Sequence, residues 1–568
     1  MDEVRITTDE KSIMVDTEYK YKNICKDVKG KRWDPHNKQW KYPKTPSIAY
    51  QIVSKFKKIK KKKGIDLRIS ASKEVRQLLD QAKKVAKAQR YKKMPAEKLP
   101  DVQQTKFPAW EHQKQAFHFA RHLHSAGLFM DMGTGKTKVM IDVMNHKGFD
   151  MILIASPLSV VDVWVAEVEK HSVREYIAIG LNDGSVKEKK EKAEHYSKRA
   201  KAEKKPFIVT INYESLWRSP FSSWALKQEW DAMVCDESHR IKTAGAKCSR
   251  FAYKLGKRIP HKYALTGTPM ANNPLDLYGQ YRFLDPGIFG TSKNRFENRY
   301  AIKGGYGGYE IKGYQNQEEM RKKMMSIAYQ CKSDDVLDLP ERIFINRYCN
   351  LSKETQQIYT ELEANFYTEV EDKEVTALNV LTKLLRLQQV TSGYLPDDEG
   401  EVHQLGSEKK DLFGEVLDEI PDDEPVVVFT RFIHDIENVR EVAEKKGYDP
   451  AELSGRSNEL KEFQAGDKDL IVVQIQAGGV GIDLTESHYA IYYSMGYSLK
   501  DYEQSKARLH RPGQDHSVRF IHLIAKHTVD EKVFSALENK KEIIDHILEG
   551  VVEDLDQMDF EQAEKTLK

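Results

Sequence analysis

The chain has 568 residues, of which 40% are apolar and 31% charged, which fits a soluble globular protein of about three domains. No run approaches the roughly 18 consecutive apolar residues that span a bilayer, and the first residues, MDEVRITTDEKS, lack the apolar core of a secretory signal. Five cysteines without a C-x-x-C pair argue against a zinc ribbon and for free thiols in a reducing compartment. The net charge of +4 is unevenly placed. Residues 1–100 hold 28 Lys and Arg against 12 Asp and Glu, which leaves the rest of the chain net acidic. A basic arm on an acidic body points to a polyanion partner, although lysine-rich helices also simply solvate a surface.

In chain order, SIMVDTEY alternates like a strand, and RWDPHNKQWKYP places a turn at Pro35 and Asn37 between two aromatic stretches. IAYQIVSKF reads as a short helix, KKIKKKKG as a basic run, and residues 72–93 as a helix with a very basic face. Pro95, Pro100 and Pro108 mark a linker. From about residue 107, short apolar runs (MILIAS, FIVTI, AMVCDE) alternate with helical stretches, as buried parallel strands with crossover helices do. Residues 186–205 predict a solvated helix, 290–340 an irregular region and 352–395 helix. PVVVFT, LIVVQI, YAIYYS and VRFIHLI form a second strand series, followed by a helical tail with an acidic end.

The sharpest motif is Asp131-Met132-Gly133-Thr134-Gly135-Lys136-Thr137, between an apolar run and a helix. Glycines let backbone N–H groups approach phosphates, and the helix N-terminus favours negative charge. Lys136 is placed to reach the β/γ-phosphates of ATP, and the Thr137 hydroxyl to hold Mg²⁺. The full phosphate-loop pattern has Gly where this chain has Met130, so a plain glycine turn would look similar. The second element decides between them. EWDAMVCDESHR is a strand ending in Asp236-Glu237, and open α/β sheets place their chemistry at such strand ends. Asp236 is expected to hold Mg²⁺, and Glu237 to orient or deprotonate the attacking water.

These motifs, in this order, resemble helicase superfamily 2, and within it the Swi/Snf-type translocases, over about residues 105–530. The resemblance implies two RecA-like lobes of α/β class with parallel sheets and helical insertions. It places Gln113 on the adenine base, Pro157, Trp164 and Asn212 on nucleic acid, and Thr266 and Thr268 of LTGTP in coupling hydrolysis to the other lobe. KSDDVLDLPER and RLQQVTSG also resemble the family. In the second lobe, VVVFTRF carries Arg431, and QAGGVGIDLTES carries the DNA-contacting Gln476 and Gly478 and the nucleotide-contacting Gly481 and Asp483. DYEQSKARLHRPGQ carries Gln504 and two candidate arginine fingers, Arg508 and Arg511. Arg431, Asp483 and SMGYSLKDY depart from the family pattern; they argue against a chromatin remodeller and leave the ATPase intact.

GKRWDPHNKQWKYP resembles the HARP-like module that stands beside such motors in annealing helicases, which makes Trp33 and Trp40 candidates for base stacking; the same pair would also serve as the core of a small domain. The expected division is a HARP-like α+β module at 1–60, a basic helical linker at 61–104, lobe 1 at 105–287, a helical connector at 288–405, lobe 2 at 406–530 and a tail at 531–568. The expected partner is double-stranded or forked DNA, with single-stranded-DNA-binding, replication or recombination proteins as further candidates, no membrane and a monomeric motor. The expected location is the cytoplasm, in the nucleoid or a phage-infected host, or the nucleus of a eukaryote. The alternatives are a strand-separating DNA or RNA helicase and a non-catalytic DNA-binding scaffold. The polymer that stimulates hydrolysis separates the first, and the phenotype of Lys136→Ala the second.

Overall fold

The computed structural model describes residues 2–10, 12–64, 66–305, 310–372, 377–397, 399–476 and 482–549. The chain divides into two units, Met1–Val336 with Ile544–Lys568, and Leu337–Ile543.

The first unit begins with a five-stranded sheet in the order Arg32–Asp34, Gln39–Pro43, Ser12–Thr17, Asp2–Thr8, Leu67–Ala71. The first four strands pair antiparallel, and Leu67–Ala71 runs parallel to Asp2–Thr8. A parallel neighbour needs a crossover, and the helix Pro46–Lys63 supplies it. Thr45 caps that helix by accepting from the Ile48 N–H, Pro46 occupies its first turn, and Gly64 ends it in the left-handed region at φ 60°. The basic run is therefore the last turns of a helix. The proposed linker is corrected in the same way. Leu67, Ile69, Val75, Leu78 and Leu79, all beyond residue 60, complete the buried core that starts with Val4, Ile6, Ile13 and Val15. The helix Lys73–Lys93 closes this core with its apolar face, so the module continues through residues assigned to the linker.

A seven-stranded parallel sheet follows, in the order Ala328–Cys331, Ser125–Met130, His261–Leu265, Ala232–Asp236, Met151–Ser156, Phe207–Asn212, Ile177–Leu181. Its central strands are buried on both faces, which is why they read as unbroken apolar runs. The second unit holds a six-stranded parallel sheet, ordered Arg342–Cys349, Val518–Ala525, Tyr489–Tyr492, Val426–Thr430, Leu470–Gln474, Pro450–Leu453. Both sheets draw a strand from the stretch expected to be a connector. Ala328–Cys331 pairs with Ser125–Met130 in the first unit, and Arg342–Cys349 pairs with Val518–Ala525 in the second. These are edge strands, and their mixed sequences (AYQC, RIFINRYC) lack the apolar run that marks a central strand. The acidic end of the tail lies outside the described residues. Among the described residues no helix is long and apolar enough to cross a membrane.

Candidate active site

The strand Ser125–Met130 delivers the chain into the phosphate loop, and the helix Lys136–Lys147 leaves it. Gly133 and Gly135 both lie in the left-handed region, at φ 78° and 82°. A Cβ at Gly135 would stand 2.3 Å from the Gln113 side-chain nitrogen, so any other residue would have to displace that amide as well as adopt a strained backbone. The loop is braced from several sides. Thr134 is buried and its hydroxyl donates to the Asp131 carbonyl at 2.7 Å. The Lys136 ammonium donates to that same carbonyl at 3.0 Å, which parks the charge that phosphate would otherwise receive. Met132 and Thr137 are half-buried at the start and end of the turn. The Asp131 carboxylate accepts from the Ser333 N–H at 3.0 Å, which ties the loop to the KSDD segment.

Gln113 also has a place within the loop. Its amide, placed on the adenine base by resemblance, is buried, donates to the Thr134 carbonyl at 3.2 Å and accepts from the Trp110 N–H at 3.1 Å. Both ends are engaged in holding the loop, and the His112 ring shares the Thr134 carbonyl at 2.9 Å. His112 is a bracing residue that a motif reading of the sequence misses.

The acidic pair ends the central strand Ala232–Asp236. Asp236 Oδ1 accepts from the Glu237 N–H at 2.9 Å, and Oδ2 accepts from the Trp164 indole at 2.8 Å. Burial, first, and the neighbouring Glu237 carboxylate push the Asp236 carboxyl up to about 6. Two buried carboxylates side by side need a cation to be ionised together, and Thr137 and Asp236 provide the oxygen donors that suit Mg²⁺. Glu237 sits at φ 47°, a conformation seldom adopted by a non-glycine residue, at the turn where the strand ends. Its carboxylate accepts from the Thr266 hydroxyl at 3.3 Å, and His239 Nδ1 lies 3.2 Å from that hydroxyl and 3.2 Å from the carboxylate. Thr266 also accepts from the Thr268 N–H at 3.0 Å. The expected coupling threonines thus lie one and two bonds from the expected base. Ser238 extends the network by donating to Gln280 at 2.8 Å, and Gln280 donates to the Pro269 carbonyl at 2.6 Å. A Cβ at Gly279 would stand 2.2 Å from the Ile241 carbonyl, so the helix Leu277–Leu284, which carries Gln280, packs backbone to backbone on the turn after the acidic pair.

The expected nucleic-acid contacts fare differently. Trp164 is 2% exposed and spends its one donor on Asp236, so it positions the acidic pair. Asn212 is buried; its amide accepts from Lys189 at 3.1 Å and donates to Glu214 at 3.0 Å. Pro157 is buried at the end of the strand Met151–Ser156, and the next residue, Leu158, is the exposed one. Arg431 is half-buried, with its guanidinium bonded to Gln388 and its N–H to the Ser494 hydroxyl at 2.8 Å. Gln476 is exposed. Gly478 and Gly481 lie outside the described residues. Trp33 is 46% exposed and packs at 5.1 Å on Trp40, while the module's core is built from other residues. The reading of this pair as a minimal core therefore fails for Trp33.

In the second unit the helix Leu499–Leu509 carries Gln504 and Arg508 on its buried face. Gln504 is fully buried, and both of its amide atoms lack a hydrogen-bond partner among the described residues. Arg511 lies 3.6 Å from the Asp483 carboxylate and donates weakly to the Ile482 carbonyl at 3.4 Å. The Asp483 departure therefore supplies a counter-charge to an arginine. The Gln514 amide donates to the Thr485 and Ser487 carbonyls at 3.1 Å and fixes the loop end.

Residues 112–393 match the SNF2-related domain, and residues 408–513 match the helicase conserved C-terminal domain. Together they cover more than half of the chain. The chain belongs to the Swi/Snf-type ATPases of helicase superfamily 2. It is 25% identical to an uncharacterized ATP-dependent helicase of Mycoplasma genitalium, over 81% of this chain and 44% of that one. It is 26% identical to YwqA of Bacillus subtilis, provisionally named an ATP-dependent helicase/translocase, over 77% and 48%. The chain thus spans less than half the length of these curated relatives. A solved Sulfolobus solfataricus SWI2/SNF2 ATPase core in complex with dsDNA is 24% identical over 80% of this chain and 96% of that one, with a TM-score of 0.38.

Proposed function

We propose that this Swi/Snf-type ATPase moves along double-stranded or forked DNA, driven by ATP. The observation that carries the reading is the continuous hydrogen-bonded path from the acidic pair through Thr266 to Thr268. It links the group that would act on water to the segment that would report hydrolysis to the rest of the motor. In this reading Lys136 leaves the Asp131 carbonyl for the β/γ-phosphates, and the backbone N–H groups of Gly133–Lys136 cradle them. Thr137 and Asp236 hold Mg²⁺, whose charge offsets that of the phosphates. Glu237 orients the attacking water and accepts its proton. Trp164 keeps Asp236 aimed. Arg508 and Arg511 are the candidate arginine fingers, whose positive charge would stabilise the negative charge developing on the phosphates. The finer assignment, fork remodelling, branch migration or strand annealing, is supported by the basic module with its exposed Trp33.

Steady-state hydrolysis with no polymer, duplex DNA, forked DNA, single-stranded DNA and RNA, using Glu237→Gln as the blank, tests the reading. Strong stimulation by duplex or forked DNA supports it. Stimulation by RNA alone contradicts it and favours an RNA helicase. No hydrolysis under any condition favours a scaffold.

A further inference from the structure

A cavity of about 1710 Å³ lies within the first unit, between the N-terminal module and the seven-stranded sheet. Its lining includes 13 Lys and Arg against four Asp and Glu. One wall is the helix Lys73–Lys93, from which Lys84, Lys87 and Arg90 recur three residues apart, all exposed. The facing wall carries Lys257, Lys262 and Arg282, and the module adds Lys29, Arg32 and Lys44. None of Lys84, Lys87, Arg90, Arg32 and Lys257 has a carboxylate within ion-pair distance among the described residues. Burial pushes Lys262 down to about 8 and lowers Lys29 as well. The cations outnumber the carboxylates in this lining, so its basic groups repel on balance, and an anion between them removes that cost.

Hydrogen bonds join the module to the lobe around the cavity. Gln89 donates to the Ser326 carbonyl at 2.6 Å, Gln51 to the Gly287 carbonyl at 3.3 Å, and Lys29 to the Ile288 carbonyl at 3.0 Å. A Cβ at Gly287 would stand 2.2 Å from the Ser47 hydroxyl, so module and lobe meet at close range. Its position separates it from the ATP site. The lining residues His124, Ser125, Pro260, Lys262 and Ile327 stand at or beside the N-terminal ends of sheet strands. The phosphate loop and acidic pair leave the C-terminal ends of the same sheet, roughly 17–20 Å away at about 3.3 Å per residue.

We propose that this cavity is a second nucleic-acid site, which holds the phosphate backbone of a DNA strand or arm distinct from the segment the motor tracks. The inference rests on the DNA reading above and deepens it. The charge is spread over several separate side chains along two walls, which suits a run of phosphates better than a single compact anion.

The test uses the full chain and fluorescein-labelled forked DNA, with anisotropy read across a salt series. The variant Lys84→Glu/Lys87→Glu/Arg90→Glu should lose at least about tenfold in affinity. Its log–log salt slope should shrink by about 2–3, at roughly 0.7–0.9 per phosphate contact. Basal ATP hydrolysis should stay at the parent level. Lys257→Glu, on the facing wall, should shrink the slope by about one. The control Lys187→Glu/Lys192→Glu/Lys201→Glu makes the same charge change on the exposed helix Val186–Glu203 and should leave the slope unchanged. An unchanged slope and affinity in a cavity variant that melts like the parent would overturn the inference, as would an equal loss in the control. Tripolyphosphate that protects Lys84 and Lys257 from acylation, where DNA does not, would also overturn it in favour of a small-anion site. Failure of the translocase reading looks different: the parent's hydrolysis would not respond to DNA, while the anisotropy, which needs no hydrolysis, would still score the cavity.

Discussion

The two parallel sheets end in opposite chemistry. The first ends in carboxylates, hydroxyls and a phosphate loop whose groups hold one another: Asp236 with Trp164, Glu237 with Thr266, Gln113 with Thr134. The second presents Gln504 buried with nothing bonded to its amide among the described residues, and Arg511 held only loosely by Asp483. An unsatisfied buried amide costs about 1–3 kcal/mol, so a group that bonded Gln504 would stabilise the second site by a comparable amount. The charged groups of the first site are bonded to one another, and the glutamine and arginine of the second are the less tightly held.

That contrast can be broken by mutation. The largest effects should come from the candidate arginine finger and the candidate base. Arg511→Ala is expected to cost about 10³-fold or more in stimulated kcat, the range of arginine fingers, with nucleotide binding retained in an equilibrium titration. A similar loss in nucleotide affinity with kcat intact would reverse the roles of the two sheets. Glu237→Gln should lower kcat by about 10²–10⁴-fold, read in the same assay.

Next in size is the effect of acid on the first site. Asp236 must be ionised to hold a cation, and its carboxyl is pushed up to about 6. Hydrolysis should therefore fall as pH drops through about 6, well above the ordinary carboxylate range. The stability sign is opposite. A carboxyl raised in the folded state binds more protons than the unfolded chain between about pH 4 and 6, so the free protein loses stability as pH rises across that window. The gain in Tm on adding Mg²⁺ and nucleotide should be larger at pH 7.5 than at pH 5.

Trp164→Phe keeps the packing and removes the indole donor to Asp236. A loss of about tenfold in kcat, with a shifted acid limb, is expected from removing one charge-assisted hydrogen bond. A pure loss of DNA affinity would instead restore Trp164 to the nucleic-acid surface. The smallest effect should be that of Trp33→Ala, which leaves the fold and basal hydrolysis alone and weakens single-strand or fork binding by about 1–3 kcal/mol if the ring stacks on a base.

The fold was legible where burial is complete. MILIAS, FIVTI and PVVVFT announce central strands because both faces are covered. Ala328–Cys331, Arg342–Cys349 and Pro450–Leu453 did not, because an edge strand tolerates polar residues; Glu452, buried in the last of them, is paired with Arg440 and Arg456. The strand Leu67–Ala71 was hidden by the basic run before it, which reads as linker until its partner strand, more than 60 residues upstream, is known. The chemical groups at the strand ends were readable from order and spacing. The contacts that Gln113, Trp164 and Asn212 make inside the first lobe were not, because resemblance assigns a residue to a segment and only packing shows what its side chain touches.

Translocation itself is tested most directly by displacement of a triplex-forming third strand from a linear duplex. The account predicts release of the third strand that requires ATP, is lost in Glu237→Gln, and leaves the underlying duplex paired. Separation of the duplex strands, or DNA-stimulated hydrolysis without release of the third strand, would contradict it.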